Sequence, residues 1–113
     1  MVPVVAIIAR RYTGRMRLSD PEIAALKFAL AGVPYRRAFL FGSRTNDEKK
    51  GGDIDILLYS DAPAFATAQQ VASRFACEFD AKLDVLVVNP EQATNEQSTF
   101  ISTLTLEPLD DLL

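Results

Sequence analysis

Apolar residues follow helical spacing in the first clearly patterned segment of the chain. Ser19 and Glu22 have the spacing of a capping box, and Pro21 lies in the first turn of the helix that this box would begin. Apolar residues then recur every three or four positions as far as Gly32, a residue type that commonly follows the end of a helix. The pattern predicts a helix from about 20 to 31.

Three short apolar runs predict buried strands, because each is brief and ends at turn-forming residues. The runs cover residues 38–41, 53–59 and 84–88. A polar segment at 46–52, which ends in two glycines, predicts a loop between the first two strands.

A second helix is predicted from 64 to 79, where apolar residues again recur at helical spacing. The stripe expected to face the core comprises Phe65, Ala68, Ala72, Phe75, Ala76 and Phe79. Cys77 is placed on the apolar side of this helix and is expected to be a small core residue. The tail from 91 to about 103 predicts a final helix.

The order of these elements predicts a single α/β (α+β) domain. Helices and strands follow one another without a linker or an internal repeat. A chain of 113 residues is long enough for one domain and too short for two. The domain is expected to span residues 1–113 with a core at about 18–110. Residues 1–17 then form an N-terminal extension, within which Met16 offers a second start.

Composition narrows the chemistry open to this domain. The sequence has no histidine, which excludes catalytic triads with an imidazole base. Its one cysteine excludes an intramolecular disulfide and a four-cysteine zinc site. Any reaction must therefore use carboxylates, hydroxyls, lysines, arginines or a metal ion held by oxygen.

Charge and hydropathy argue against two classes of partner. The net charge is −3, so no overall positive field is present to hold a phosphate backbone, and bulk nucleic-acid binding is not expected. The longest apolar run, 1–9, is far shorter than the ~20 residues of a membrane span. Arg10 and Arg11 follow this run, whereas a signal peptide carries its basic residues before the apolar segment. The sequence predicts a cytoplasmic protein without a membrane partner.

Asp53 and Asp55 form the most informative pair in the sequence. Successive side chains of a strand alternate between its faces, so both carboxylates are expected on one side while Ile54 and Ile56 pack on the other. At roughly 6 Å and an effective dielectric constant near 20, two such charges repel by about 3 kcal/mol. A divalent cation is the simplest compensation, and Mg²⁺ typically takes one or two carboxylates together with water and phosphate oxygens.

Asp84 begins the third predicted strand and supplies a third candidate carboxylate. Two-metal phosphoryl transfer uses such a group, because it can bridge to a second ion and accept the proton of an attacking hydroxyl. Asp84 lies beside Asp53 and Asp55 only if the second and third strands are neighbours, as consecutive strands usually are.

Gly42, Ser43 and Arg44 directly follow the first predicted strand. A glycine at this position allows a ligand to approach the backbone closely, and the next amide and hydroxyl can hold phosphate oxygens. Arg44 adds a planar donor of the kind that suits phosphate recognition. These residues are therefore candidates for nucleotide binding.

Taken together, these residues resemble the nucleotidyltransferase superfamily of DNA polymerase beta. The likeness is greatest to the small minimal nucleotidyltransferases, many of which are antitoxins encoded beside HEPN-type ribonuclease toxins. The resemblance covers roughly residues 20–110, and nine residues separate Ser43 from Asp53 where most descriptions of the motif have ten. The segments that carry it are Leu40-Phe41-Gly42-Ser43-Arg44, Gly51-Gly52-Asp53-Ile54-Asp55 and Lys82-Leu83-Asp84.

The resemblance implies a polymerase-beta-like fold, with a small mixed sheet flanked by helices, and a metal-dependent activity. The implied reaction transfers a nucleoside monophosphate, AMP from ATP or its equivalent from another NTP, to a hydroxyl group. Mg²⁺ or Mn²⁺ would be held by Asp53, Asp55 and Asp84, and these same carboxylates would be the catalytic residues. The triphosphate would be bound at Gly42 and Ser43, with Arg44 as a further contact.

The partner implied by the resemblance is a HEPN-type toxin that carries the acceptor hydroxyl. Three hypotheses stay open: an active nucleotidyltransferase in a toxin-antitoxin system, a non-catalytic antitoxin that neutralises its partner by occlusion, and an α/β interaction domain without nucleotide. Self-association as a homo-oligomer, or obligate pairing with another chain, is also expected, because a site built on one sheet face of a small domain is open to solvent. Its candidate surfaces are the segment 1–9 and the leucine-rich tail at Leu104, Leu106, Leu109, Leu112 and Leu113.

Overall fold

Three helices and four strands form a small α+β fold in residues 18–42 and 53–113, the parts of the chain that the computed structural model describes. In chain order they are α1 (Asp20–Leu30), β1 (Arg37–Phe41), β2 (Ile54–Tyr59), α2 (Ala64–Glu78), β3 (Leu83–Val88), α3 (Asn95–Ser102) and β4 (Glu107–Pro108). The predicted N-terminal extension and the predicted loop at 46–52 lie outside the described residues.

The capping box predicted at the start of α1 is present. The Ser19 hydroxyl accepts a hydrogen bond from the Glu22 backbone N–H at 3.3 Å, and Glu22 Oε1 accepts one from the Ser19 N–H at 2.8 Å. These bonds satisfy backbone donors that the first helical turn leaves free. The helix ends at Leu30, one residue before the predicted end, because Ala31 adopts an extended conformation.

The sheet is mixed and has the strand order β3-β2-β1-β4. β1 pairs with β2 in antiparallel register, whereas β2 and β3 are parallel neighbours. The short strand β4, which the sequence pattern does not predict, pairs antiparallel with β1 at the other edge. Two residues are too few to carry an alternating pattern, so this strand is defined only by its tertiary pairing.

One face of the sheet carries the hydrophobic core, and α1 and α2 pack together over it. Alternate strand residues supply this face, as the period of two requires. Its fully or nearly fully buried members are Ala38, Leu40, Ile54, Ile56, Leu58, Leu83 and Val87. They meet Leu26, Ala29 and Leu30 of α1 and Val71 and Phe75 of α2 in a single cluster. The carboxylates of the next residues along β2 and β3 therefore face the opposite side.

The predicted core stripe of α2 is wrong in part. Its buried residues are Thr67, Val71 and Phe75, a set spaced by four, whereas Phe65 is 76% exposed. Cys77 is exposed as well, because it lies two residues, or about 200° of helical rotation, from the buried Phe75. The six predicted residues share an arc of about 100°, but the buried face is centred on Val71, roughly 90° away around the helix, so that Phe75 is buried and Ala68 and Phe79 are partly buried at its edge.

The C-terminal region also differs from its prediction. The helix α3 begins at Asn95 rather than at 91, because a turn built on Asn89 continues through Gln92 and Thr94 then caps the helix. Within the leucine-rich tail, Leu109 is fully buried, and Leu112 and Leu113 pack against the core. Leu109 therefore belongs to the domain's own core, whereas Leu112 and Leu113 are only partly buried against it.

Residues 18–42 and 53–113 contain no helix with both the length and the apolar character needed to cross a bilayer.

Candidate functional site

The pairing of β2 with both neighbours brings the predicted aspartates together. In the strand register, Asp55 lies opposite Phe41 on β1 and opposite Asp84 on β3. Asp53 precedes β2, and the adjacent Ile54 N–H donates to the Lys82 carbonyl at 3.1 Å. Sequence spacing alone does not establish that β2 and β3 are adjacent. Their pairing places Asp84 directly beside Asp55. We call Asp53, Asp55 and Asp84 the carboxylate cluster.

Gly42 directly follows β1 and lies against the Asp55 carboxylate, on the β1 side of the carboxylate cluster. Its φ angle of +80° is in the left-handed region, which favours glycine. A methyl group added at its Cα would overlap Asp55 Oδ2 and lie 3.2 Å from Asp55 Cγ. The absence of a side chain at Gly42 is therefore what allows the Asp55 carboxylate to lie against the backbone of the turn.

Electrostatic repulsion within the cluster is visible at Asp55. Burial raises the pKa of this carboxyl above its ordinary value, and the charge of Asp84, a hydrogen bond with Asp84 and the charge of Asp53 raise it further. The positive charge of Lys82 lowers the pKa of Asp55 in part. The charges of Asp84 and Asp53 thus both act on Asp55, where protonation or a bound cation would relieve the repulsion.

The chemistry of the donor set fits a hard divalent cation. Every candidate ligand is a carboxylate oxygen, and Gly42 leaves room for the carboxylate of Asp55 beside the backbone. Within the described residues, no group of three or more aspartate, glutamate, histidine or cysteine side chains is arranged so that it could hold a metal ion by itself. Mg²⁺ accepts a smaller protein contribution, because it commonly takes one or two carboxylates and completes its shell with water and phosphate oxygens.

Four of the six predicted site residues thus lie together, namely Gly42 and the three members of the carboxylate cluster. Ser43 and Arg44, the predicted phosphate contacts, lie outside the described residues. Sequence reasoning missed Lys82, whose Nζ lies 3.6 Å from Asp84 Oδ1. The signal was present, because Lys82 precedes Asp84 by two residues and alternation places both on the same face of a strand.

Aromatic residues and α3 cover the sheet face beyond the cluster. Phe41 and Phe100 meet edge to face with their ring centroids 6.4 Å apart, and Phe39 and Tyr59 do so at 5.6 Å. A cavity of about 280 Å³ lies at the other end of β2 and β3, lined by Tyr59, Val88, Pro90, Ala93, Ser98, Ile101 and Ser102. Its strand residues are four positions beyond Asp55 and Asp84, a separation of roughly 13 Å, so the cavity is distinct from the carboxylate cluster.

Comparison of the chain with protein-family models and with curated proteins finds no match. The case for a function therefore depends on the motif residues and on the geometry of the carboxylate cluster.

Proposed function

We propose that this protein is a metal-dependent nucleotidyltransferase that moves a nucleoside monophosphate, AMP from ATP, onto a hydroxyl group. The observation that carries the proposal is the register of β2 and β3, which sets Asp55 beside Asp84 and next to the backbone of Gly42. The resemblance of the motif segments to minimal nucleotidyltransferases supports the same reaction. Both point to a site where carboxylates hold a cation against a phosphate chain.

Each residue has a distinct role in this proposal. Asp53 and Asp55 hold Mg²⁺ or Mn²⁺, which supplies charge neutralisation for the triphosphate when bound. The backbone of the turn at Gly42 and the hydroxyl of Ser43 hold phosphate oxygens. Asp84 accepts the proton of the attacking hydroxyl. The hydroxyl oxygen forms a bond to the α-phosphorus, the bond to the bridging oxygen breaks, and pyrophosphate leaves.

The acceptor in this proposal is a hydroxyl on a partner protein of the HEPN type. Three large apolar side chains on the described helices favour a protein partner, since Phe28, Phe65 and Phe100 are each about half exposed or more. The same exposed residues also support a second candidate function, in which the protein neutralises its partner by occlusion without chemistry. The two candidates differ in whether the partner becomes covalently labelled.

The test is transfer of label from ATP carrying a radioactive α-phosphate, with the chain purified together with the product of its neighbouring gene. We expect Mg²⁺-dependent labelling of the partner and release of pyrophosphate. Asp55→Asn and Asp84→Asn should each reduce labelling by at least about a hundredfold, the scale of losing a positioned acid, base or metal ligand. Asp61→Asn removes an exposed carboxylate just beyond the other end of β2 and is the matched control.

Labelling that is unchanged in Asp55→Asn and Asp84→Asn would contradict the proposed chemistry. Stable complex formation without any labelling would favour the occlusion function instead.

A further inference from the structure

Lys82 is positioned as part of the carboxylate cluster. The hydrogen bond from Ile54 to the Lys82 carbonyl places this residue beside Asp53 on the parallel strand pair. The register Asp55 to Asp84 continues the same ladder two residues further on. Lys82 and Asp84 therefore share a face, and their charged groups approach to 3.6 Å. The ammonium group of Lys82 thus pairs with Asp84, and its charge also acts on Asp55.

The three arginines of the described segments have partners elsewhere. Arg36 pairs with Glu91 and Arg37 with Asp110, and Arg74 donates to the Ala31 carbonyl. In residues 18–42 and 53–113, Lys82 is accordingly the basic side chain whose ion pair involves the cluster. It partly offsets the repulsion among the carboxylates while no cation is bound.

The ion pair between Lys82 and Asp84 is weak enough for the Lys82 ammonium group to change partners. The side chain of Lys82 is 69% exposed and that of Asp84 is 46% exposed. Exposed ion pairs are weak because water screens them and because two flexible side chains must be held in place. A lysine also carries its charge on a flexible four-carbon stem, so it can change partners without a movement of the backbone.

We propose that Lys82 is the counter-ion of the carboxylate cluster in the metal-free protein and becomes a phosphate contact when the metal-bound nucleoside triphosphate binds. This inference rests on the proposed nucleotidyltransferase function. A divalent cation and the ammonium group compete for the same carboxylate oxygens, so binding of the cation frees Lys82. The incoming triphosphate then replaces the Asp84 carboxylate as the negatively charged partner of the Lys82 ammonium group.

The proposal predicts opposite effects of one substitution on two affinities. In Lys82→Met, Mn²⁺ alone should bind about two- to fivefold more tightly, because a competing positive charge is gone. The Mn²⁺ complex of ATP should bind about fivefold more weakly, because a charge-assisted phosphate contact is lost. A residue that only maintains the fold would not move the two affinities in opposite directions.

The experiment measures both affinities by calorimetry on the full chain, with the free Mn²⁺ signal in electron paramagnetic resonance as a second readout. Lys82→Arg keeps the charge and should leave both affinities within about twofold of wild type. Lys27→Met removes an exposed lysine from α1 and should change neither. Melting temperatures of all variants, measured in chelator, report whether the fold is intact.

Unchanged affinities in Lys82→Met, or affinities that shift in the same direction, would overturn the role of Lys82 while leaving the proposed function standing. Failure of the wild-type chain to bind Mn²⁺ and its ATP complex would overturn both. The wild-type titration therefore separates the two failures.

Discussion

Gly42 is the residue at which the backbone and the carboxylate cluster constrain each other. Its positive φ angle would be strained for any other residue, and a side chain there would also collide with Asp55. Gly32 offers an internal comparison, because its φ angle of +78° is similar but an added methyl group would meet nothing within 4 Å.

We predict that Gly42→Ala destabilises the protein by about 2–4 kcal/mol and Gly32→Ala by about 1 kcal/mol, because only the first adds a collision to the backbone strain. In an Asp55→Ala background, Gly42→Ala should cost no more than Gly32→Ala does. Urea unfolding of the four variants and wild type measures these free energies. Equal costs for the two glycine substitutions in the wild-type background would show that Asp55 does not lie against Gly42.

Asp55 provides a second prediction at the scale of one residue. Because its pKa is raised in the folded protein, the folded state holds the Asp55 proton more tightly than the unfolded state does. Stability therefore falls as pH rises from the ordinary value of 3.8 through the raised pKa, and the penalty persists at neutral pH. An asparagine at this position carries neither the charge nor the penalty.

Asp55→Asn should accordingly raise the melting temperature by about 2–6 °C at neutral pH in chelator, the scale of one partly exposed charge interaction in a small domain. The gain should shrink as the pH is lowered towards 3.8, and added Mg²⁺ should stabilise the wild type more than the variant. Asp61→Asn controls for loss of a carboxylate outside the cluster. A variant that melts well below wild type would show that the Asp55 carboxylate is structural.

At the scale of secondary-structure elements, α3 is attached to the sheet mainly at its surface. None of its residues is buried, and its Phe100 ring meets Phe41 next to the carboxylate cluster. Phe65 at the start of α2 is more exposed than Phe100. The two phenylalanines therefore differ in what their removal should cost.

Phe100→Ala should destabilise the protein by about 1–2 kcal/mol, through the loss of partial burial and of the aromatic pair. Phe65→Ala should change the free energy of unfolding by less than about 0.5 kcal/mol, as is usual for exposed sites. Thermal and urea unfolding of the two variants, compared under the same conditions, provides the measurement. A larger loss of stability for Phe65→Ala than for Phe100→Ala would contradict the exposure of Phe65 and would support the core-facing stripe that the sequence pattern predicts.

The elements also separate the features of the fold that local sequence patterns predict from the features that they do not predict. The capping box at Ser19, the three longer strands and the alternation of Asp53 and Asp55 are local patterns, and local patterns can be recognised without knowing the fold. The strand order and the register that sets Asp84 beside Asp55 depend on residues distant in sequence. The exposure of Cys77 also depends on which arc of α2 meets the sheet, and several arcs were compatible with its apolar residues.

At the scale of the whole molecule, the fold separates stability from the proposed chemistry. One sheet face carries the hydrophobic core and is covered by α1 and α2, whereas the carboxylate cluster lies on the other face at one end of the strands. Charged residues can occupy that end because it is not part of the core. The cost of this arrangement is mutual repulsion, which a cation would relieve on binding.

The central claim is that the carboxylate cluster binds a nucleoside triphosphate through a divalent cation, and calorimetry of ATP binding tests it most directly. Without a cation the cluster repels the triphosphate, so we expect ATP to bind in Mg²⁺ or Mn²⁺ and at least about tenfold more weakly in chelator. Asp55→Asn should lose most of the metal-dependent affinity, and Asp61→Asn should retain it. Equal affinity for ATP in metal and in chelator would contradict the account.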